Sequence, residues 1–211
     1  MLHKSTVAES TLELLIQLQQ KDYLEGFYLV GGTALALKIG HRKSVDLDLF
    51  SNFSFDTTQL LENLSADFQF KLLFSANNTL KGSINNVQVD ILAHRYPLVA
   101  DPVVVENISM LSNEDIVAMK LNAISVSGQR VKDFIDIYYL LNTYTVEEMT
   151  GFYKKKYSHY NDANVLKSLC WFDDVDLSEW PVLLQSPQLN WKTVKNTIEK
   201  ATLTYIKQIV Q

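Results

Sequence analysis

The sequence predicts an α/β (α+β) fold. A mixed β-sheet flanked by helices occupies residues 1–105, and a helical C-terminal part occupies residues 106–211. Three observations predict this. Short apolar runs of strand length, separated by Gly or Asn pairs, recur between Phe27 and Leu92. Stretches with apolar residues three and four apart precede them or lie between them, at 9–20 and 56–64. Beyond Leu111 the apolar residues follow helical spacing, after a proline-bounded break at 97–102. The boundary between the two halves falls softly between Pro102 and Leu111.

Each element has its own signal. Residues 9–20 place Leu12, Leu15, Ile16 and Gln19 at helical spacing, with Ser10 or Thr11 as caps. Residues 27–30 are apolar enough for a buried strand. Gly31-Gly32 breaks it with a sharp turn. Thr33 caps a short helix to Ile39, and Gly40 takes the left-handed position beyond its end. Residues 45–50 are a strand, 51–54 a loop and 56–64 a helix. Residues 68–75 alternate through Phe68, Phe70, Leu72 and Phe74 as a strand. Asn77-Asn78 marks a turn, 79–84 a strand, Asn85-Asn86 a hairpin turn, and 87–92 the returning strand.

In the second half, Ser112-Asn113-Glu114-Asp115 reads as a capping box for a helix over 113–125, which Ser127-Gly128 ends. Residues 129–141 form a further helix, apolar at Phe134, Ile137, Tyr138 and Leu141. Beyond Thr143, aromatic and lysine-rich segments alternate with acidic ones. Lys154 to Lys156 reads as a solvated face, and Cys170 beside Trp171 as core. A last helix over 191–209 carries Val194, Ile198, Ala201, Tyr205 and Ile209 on one stripe.

Composition narrows the class. At 211 residues the chain can bury a sizeable core. Its net charge of −5 excludes a wholly basic nucleic-acid coat and leaves room for a local basic groove. The single cysteine, Cys170, excludes an intrachain disulfide and fits a reducing cytoplasm. No apolar run approaches the roughly 18 residues of a membrane span, and the first residues lack an apolar signal core.

The chemistry concentrates between Gly31 and Asp48. Side chains alternate along a strand, so Asp46 and Asp48 share one face and Val45, Leu47 and Leu49 the other. Their backbones then lie roughly 6–7 Å apart. Two such carboxylates repel unless a cation lies between them. A hard divalent ion with oxygen ligands, such as magnesium, meets that need. The N–H groups of Gly31, Gly32 and Thr33, at a helix start, form a phosphate cradle. Arg42 and Ser44 lie close enough in sequence to reach the same phosphates. Asp90 sits on the later strand in the same alternation and can bring a third carboxylate. A cradle beside an acid pair is the minimum equipment for phosphoryl or nucleotidyl transfer. Neither a P-loop nor a dinucleotide fingerprint fits the glycine spacing.

These blocks resemble the DNA polymerase β-like nucleotidyltransferase superfamily. More narrowly, Gly31-Gly32-Thr33-Ala34-Leu35, then Arg42-Lys43-Ser44-Val45-Asp46-Leu47-Asp48, then Lys120-Leu121-Asn122, then Arg130-Val131-Lys132-Asp133-Phe134-Ile135-Asp136 look like the AbiEii/AbiGii toxin family within it. The resemblance covers about residues 8–142. It implies a nucleotidyltransferase-like mixed sheet and a nucleoside triphosphate substrate over the glycine pair. It implies magnesium, or manganese, on Asp46 and Asp48, with Asp90 as the superfamily's third acid. It also implies that Lys120 stabilises phosphate charge and that Asp133 or Asp136 completes the site. The implied partners are an RNA or tRNA acceptor and an antitoxin protein, with no membrane. Two other classes compete: a nucleotide-sugar glycosyltransferase, and a non-catalytic module of the same fold that binds a nucleotide or a partner.

Overall fold

The computed structural model describes residues 1–210. The chain divides into two compact units, Met1–Ser112 and Asn113–Gln211. The first contains α1 (Glu9–Gln19), β1 (Tyr28–Leu29), α2 (Gly31–Ile39), β2 (Leu47–Ser51), α3 (Thr57–Phe68), β3 (Lys71–Ala76), β4 (Thr79–Ile84), β5 (Val87–Ala93), β6 (Val103–Val105) and β7 (Ile108–Met110). Among the described residues, seven strands form one mixed sheet in the order β3-β4-β5-β2-β1-β7-β6. The β2–β5 and β1–β7 pairs are parallel; β1–β2, β3–β4, β4–β5 and β6–β7 are antiparallel. The sequence-derived architecture of a mixed sheet with helices, then a helical region, is therefore the one observed.

Local details depart from the expectation in instructive ways. The inward stripe of α1 is Thr11, Leu14, Leu15 and Leu18, and the residue before the helix is Ala8, with no side-chain cap. Leu12 and Ile16 sit at its margin. The strand expected over 45–50 begins only at Leu47. Val45 is 64% exposed, whereas Leu47 and Leu49 are fully buried. The alternation through Phe68–Phe74 does not survive either: Phe68 closes α3, Phe70 is buried before the strand, and all of β3 is exposed at the sheet edge. Gln69, left-handed at φ 52°, separates helix from strand.

The hairpin expected at Asn85-Asn86 is present, with φ of 50° and 65°. Paired positive φ is what a two-residue hairpin loop needs, and Asn tolerates it. A second hairpin was hidden from the sequence reading, because residues 97–102 look like a break. Glu106 and Asn107 carry the same positive φ pair, 52° and 65°, between β6 and β7. β7 then joins the sheet interior beside β1, with Leu29 opposite Met110.

The second unit holds α4 (Asn113–Val126), α5 (Val131–Leu140), α6 (Val146–Lys156), α7 (Asp162–Ser168) and α8 (Trp191–Val210). Phe134, Phe172 and Trp191 pack as an aromatic cluster, with ring centroids 5.6–5.8 Å apart. The start of α6 is a full capping box: Thr145 Oγ1 accepts from Glu148 N, and the Glu148 carboxylate accepts from Thr145 N at 2.8 Å. The Thr145 N–H and, at 2.9 Å, the Thr145 hydroxyl both donate to the Glu148 carboxylate and hold it below its ordinary pKa.

Two expectations need correcting here. Lys156 is not part of a solvated face. Its ammonium lies 2.7 Å from Asp115 Oδ1, and both side chains are buried. Asp115 is thus an internal ion-pair partner and not a capping acid. Trp171 is exposed and Cys170 only half-buried. Burial pushes the Cys170 thiol pKa up, which keeps it protonated and unreactive at neutral pH. The buried stripe of α8 is Val194, Ile198 and Thr202, and Ile209 faces solvent.

Candidate active site

The site grows from the β1–α2 junction. Val30 is extended, and its N–H donates 2.9 Å to the Asp48 carbonyl, which fixes β1 against β2. The glycine pair is not a turn before the helix: α2 opens directly on Gly31. Gly31 sits at φ +68°, a conformation that L side chains rarely adopt. A Cβ there would strike Asp48 Oδ2 and stand 3.3 Å from Asp48 Cγ. A Cβ on Gly32 would strike the Arg42 guanidinium and stand 3.4 Å from Ser44 Oγ. The missing side chains therefore admit an acid, a guanidinium and a hydroxyl against the first turn of a helix. Helix N-termini carry exposed N–H donors and a partial positive charge.

Thr33 has a different task from the one expected. It does not cap α2. It is buried, and its hydroxyl donates to the Asp46 carbonyl while its oxygen lies 2.8 Å from Ser44 Oγ. It ties the 44–46 segment to α2 and so sets the backbone from which the Asp46 side chain emerges. Ser44 is further held by its N–H, 2.9 Å from the Thr6 carbonyl. Arg42 is buried and donates from Nη1 to the Lys43 carbonyl at 3.0 Å. These contacts anchor the 41–46 segment, an irregular stretch between α2 and β2, beside the glycine pair.

Asp46 precedes β2, so the strict strand alternation expected for Asp46 and Asp48 holds only from Leu47 onward. Both acids are part-exposed, unlike their buried neighbours Leu47 and Leu49. Asp48 pairs in register with Asp90 across the parallel β2–β5 ladder. The third acid therefore stands level with the second, as the sequence suggested. Its carboxylate is already engaged: Lys81 Nζ lies 2.8 Å from Asp90 Oδ2. Among the described residues, no group of three or more His, Cys, Asp or Glu side chains is arranged to hold a metal ion. The carboxylates of Asp46 and of Asp48, the latter against Gly31, are of the donor type that suits a hard cation.

Lys81 is the residue that sequence reasoning missed. Its signal was the register of the β4–β5 hairpin, which places Lys81 opposite Asp90. Counting back symmetrically from the Asn85-Asn86 turn would have found it.

In the helical unit, Lys120, Asp133 and Asp136 come together. Lys120 Nζ lies 2.6 Å from Asp133 Oδ1 and 2.7 Å from Asp136 Oδ2, and all three side chains are buried. One lysine thus bridges both acids, which lie about a helical turn apart. Lys132, on the same helix, meets Glu179 at 3.0 Å.

The glycine pair gives the first testable consequence. Gly31→Ala should lower stability by about 1–2 kcal/mol from the left-handed backbone alone. It should also displace the Asp48 carboxylate and weaken triphosphate binding. Chemical denaturation and titration calorimetry on the same variant would check both.

Comparison with known proteins identifies the family and the fold. A family model described as "Nucleotidyl transferase AbiEii toxin, Type IV TA system" matches residues 13–109 and 85–209. The uncharacterized protein aq_aa25 of Aquifex aeolicus (strain VF5) is 30% identical over 154 residues, covering 70% of this chain and 74% of that protein. Among solved structures, MenT4, a nucleotidyltransferase toxin of Mycobacterium tuberculosis H37Rv, superposes with a TM-score of 0.59 at 15% identity, covering 90% of this chain and 83% of that one. JHP933 from Helicobacter pylori gives 0.53 at 17% identity, covering 96% and 94%. At such identities these two structures establish a shared fold. The family match extends through both units, well past the blocks that first suggested it, and the chain belongs to the nucleotidyl transferase AbiEii toxin family, an enzyme of the nucleotidyltransferase class.

Proposed function

We propose that this enzyme moves a nucleoside monophosphate from a nucleoside triphosphate to a hydroxyl of an RNA acceptor, such as tRNA, as the toxin of a toxin–antitoxin pair. The observation that carries the reading is the convergence at the glycine pair: the Asp48 carboxylate against Gly31, and the Arg42 guanidinium and Ser44 hydroxyl against Gly32. An acid, a cation and helix N–H donors in one place suit a metal-complexed triphosphate better than any uncharged ligand. The family match favours nucleotidyl transfer over the nucleotide-sugar alternative.

In this reading the N–H groups of Gly31 and Gly32 hold phosphate oxygens, and Arg42 fixes their orientation. Asp46 and Asp48 would hold magnesium or manganese, which when bound neutralises charge at the α-phosphate and the departing pyrophosphate. Thr33 and Ser44 keep Asp46 in position. The acceptor oxygen bonds to the α-phosphorus, and the bond from that phosphorus to the α–β bridging oxygen breaks. Pyrophosphate leaves, and the acceptor's proton passes to solvent or to a carboxylate. Much of the rate gain comes from holding the two reactants in line.

The test is incubation of the pure protein with each α-³²P-labelled nucleoside triphosphate, a divalent cation and total RNA. Label should enter an RNA species, with pyrophosphate release. Label staying wholly in free nucleotides, with no pyrophosphate formed, would defeat the reading. Overproduction of the active chain should arrest growth, and a cognate antitoxin should relieve the arrest.

A further inference from the structure

Asp48, Asp90 and Lys81 form one row across three adjacent strands. Asp48 is the register partner of Asp90 on the parallel β2–β5 pair, and Lys81 is the register partner of Asp90 on the antiparallel β4–β5 pair. Residues directly opposite one another in neighbouring strands project from the same face of a sheet, with strands about 4.8 Å apart. The row therefore reads acid, acid, ammonium, outward from the strand beside the glycine pair. Asp90 is 8% exposed, and its Oδ2 is held 2.8 Å from Lys81 Nζ. Gln88 Nε2 lies 3.4 Å from the other oxygen. The Lys81 side chain is 41% exposed, so its ammonium stands at the boundary between the acid row and solvent.

We propose that Lys81 is a positioning residue that takes the place of a second metal ion: its ammonium neutralises Asp90 and keeps that carboxylate out of the set that binds the divalent cation. This inference rests on the nucleotidyl-transfer reading above, in which Asp46 and Asp48 hold a cation. Two carboxylates on neighbouring strands at one level repel each other, and a positive charge must settle the repulsion. A built-in ammonium in contact with one of them meets that need before any ion arrives. It also opposes the approach of a second divalent ion by direct like-charge repulsion. A lysine is suited to this task because its ammonium is a compact point charge on a flexible stem. The site then works with one ion on Asp46 and Asp48, and the protein supplies the second positive charge.

The test reads metal stoichiometry and not turnover. Mn²⁺ is titrated into the full-length protein with a saturating α,β-methylene nucleoside triphosphate, each base in turn. Electron paramagnetic resonance counts the bound ions and detects the spin coupling of two close ones. The wild-type chain is expected to take up a single uncoupled Mn²⁺. Lys81→Met should admit a second, spin-coupled ion, because Asp90 is released. Lys81→Arg should stay at one. Lys81→Met/Asp90→Asn should return to one, and its neutral pair keeps the test open should Lys81→Met alone fold poorly. A second coupled ion in wild type, or a single ion in a folded Lys81→Met, would overturn the role of Lys81 and leave the nucleotidyl-transfer reading standing. No bound Mn²⁺ in wild type would overturn both.

Discussion

Lys120→Met should destabilise the chain by about 3–5 kcal/mol, the range found when one partner of a buried ion pair is removed. The lysine sits between Asp133 and Asp136, at 2.6 and 2.7 Å, and the three side chains are 8%, 4% and 0% exposed. Methionine fills a similar volume, so the loss measures charge rather than cavity. It leaves two carboxylates buried one helical turn apart without their shared cation. Folding must then either protonate one or draw water into the helical unit. The acids carry other interactions that soften the loss, so the whole Coulomb energy is not at stake. Urea denaturation at neutral pH would read the change. Lys120→Met/Asp133→Asn/Asp136→Asn should recover much of the loss. A folded single variant as stable as wild type would show that the cluster is not a structural keystone.

The Lys120 cluster also illustrates what a sequence can disclose. Its members were nameable through the family resemblance, whose blocks include Lys120 and the Asp133–Asp136 stretch. That one lysine bonds both acids was not readable, since it depends on how α4 and α5 pack. The same limit hid the Lys156–Asp115 pair: 41 residues separate its partners, and three consecutive lysines resemble a solvated face. Strand pairing was more legible. The Asn85-Asn86 turn fixes the β4–β5 register and the alternation of 87–92 its faces, whereas the level of Asp90 against Asp48 is set by the parallel β2–β5 pairing. Val45 failed for a local reason. Thr33 and Thr6 capture the backbone at Asp46 and Ser44, so the chain cannot enter the sheet before Leu47. The glycine pair was expected as a sharp turn and instead opens α2, where the two missing side chains admit close neighbours. What approaches was out of reach: Asp48 and Arg42 arrive from segments downstream, and only tertiary structure brings them in.

Asp48→Asn should cut nucleotidyl transfer by about a thousandfold while leaving the fold intact. Asparagine keeps the shape that fits against Gly31, where the Asp48 carboxylate occupies the space a Cβ would take. Packing is therefore retained, and the change falls on charge. A metal-assisted transfer draws several kcal/mol of charge stabilisation from its ion. Losing about 4 kcal/mol of that corresponds to about a thousandfold in rate, at 1.36 kcal/mol per tenfold. Asp46→Asn should give a similar loss, and the double variant little more, because the two acids act on one ion and their effects are not additive. Conversely, Asp90→Asn should have a far smaller effect on metal binding, since Lys81 already occupies that carboxylate. The measurements are kcat/KM for label transfer and Mn²⁺ affinity for each variant, with thermal unfolding as the check on fold. An Asp48→Asn enzyme that kept wild-type turnover and wild-type metal affinity would mean that the acid beside Gly31 serves packing alone, and the transfer chemistry would have to be sought elsewhere in the chain.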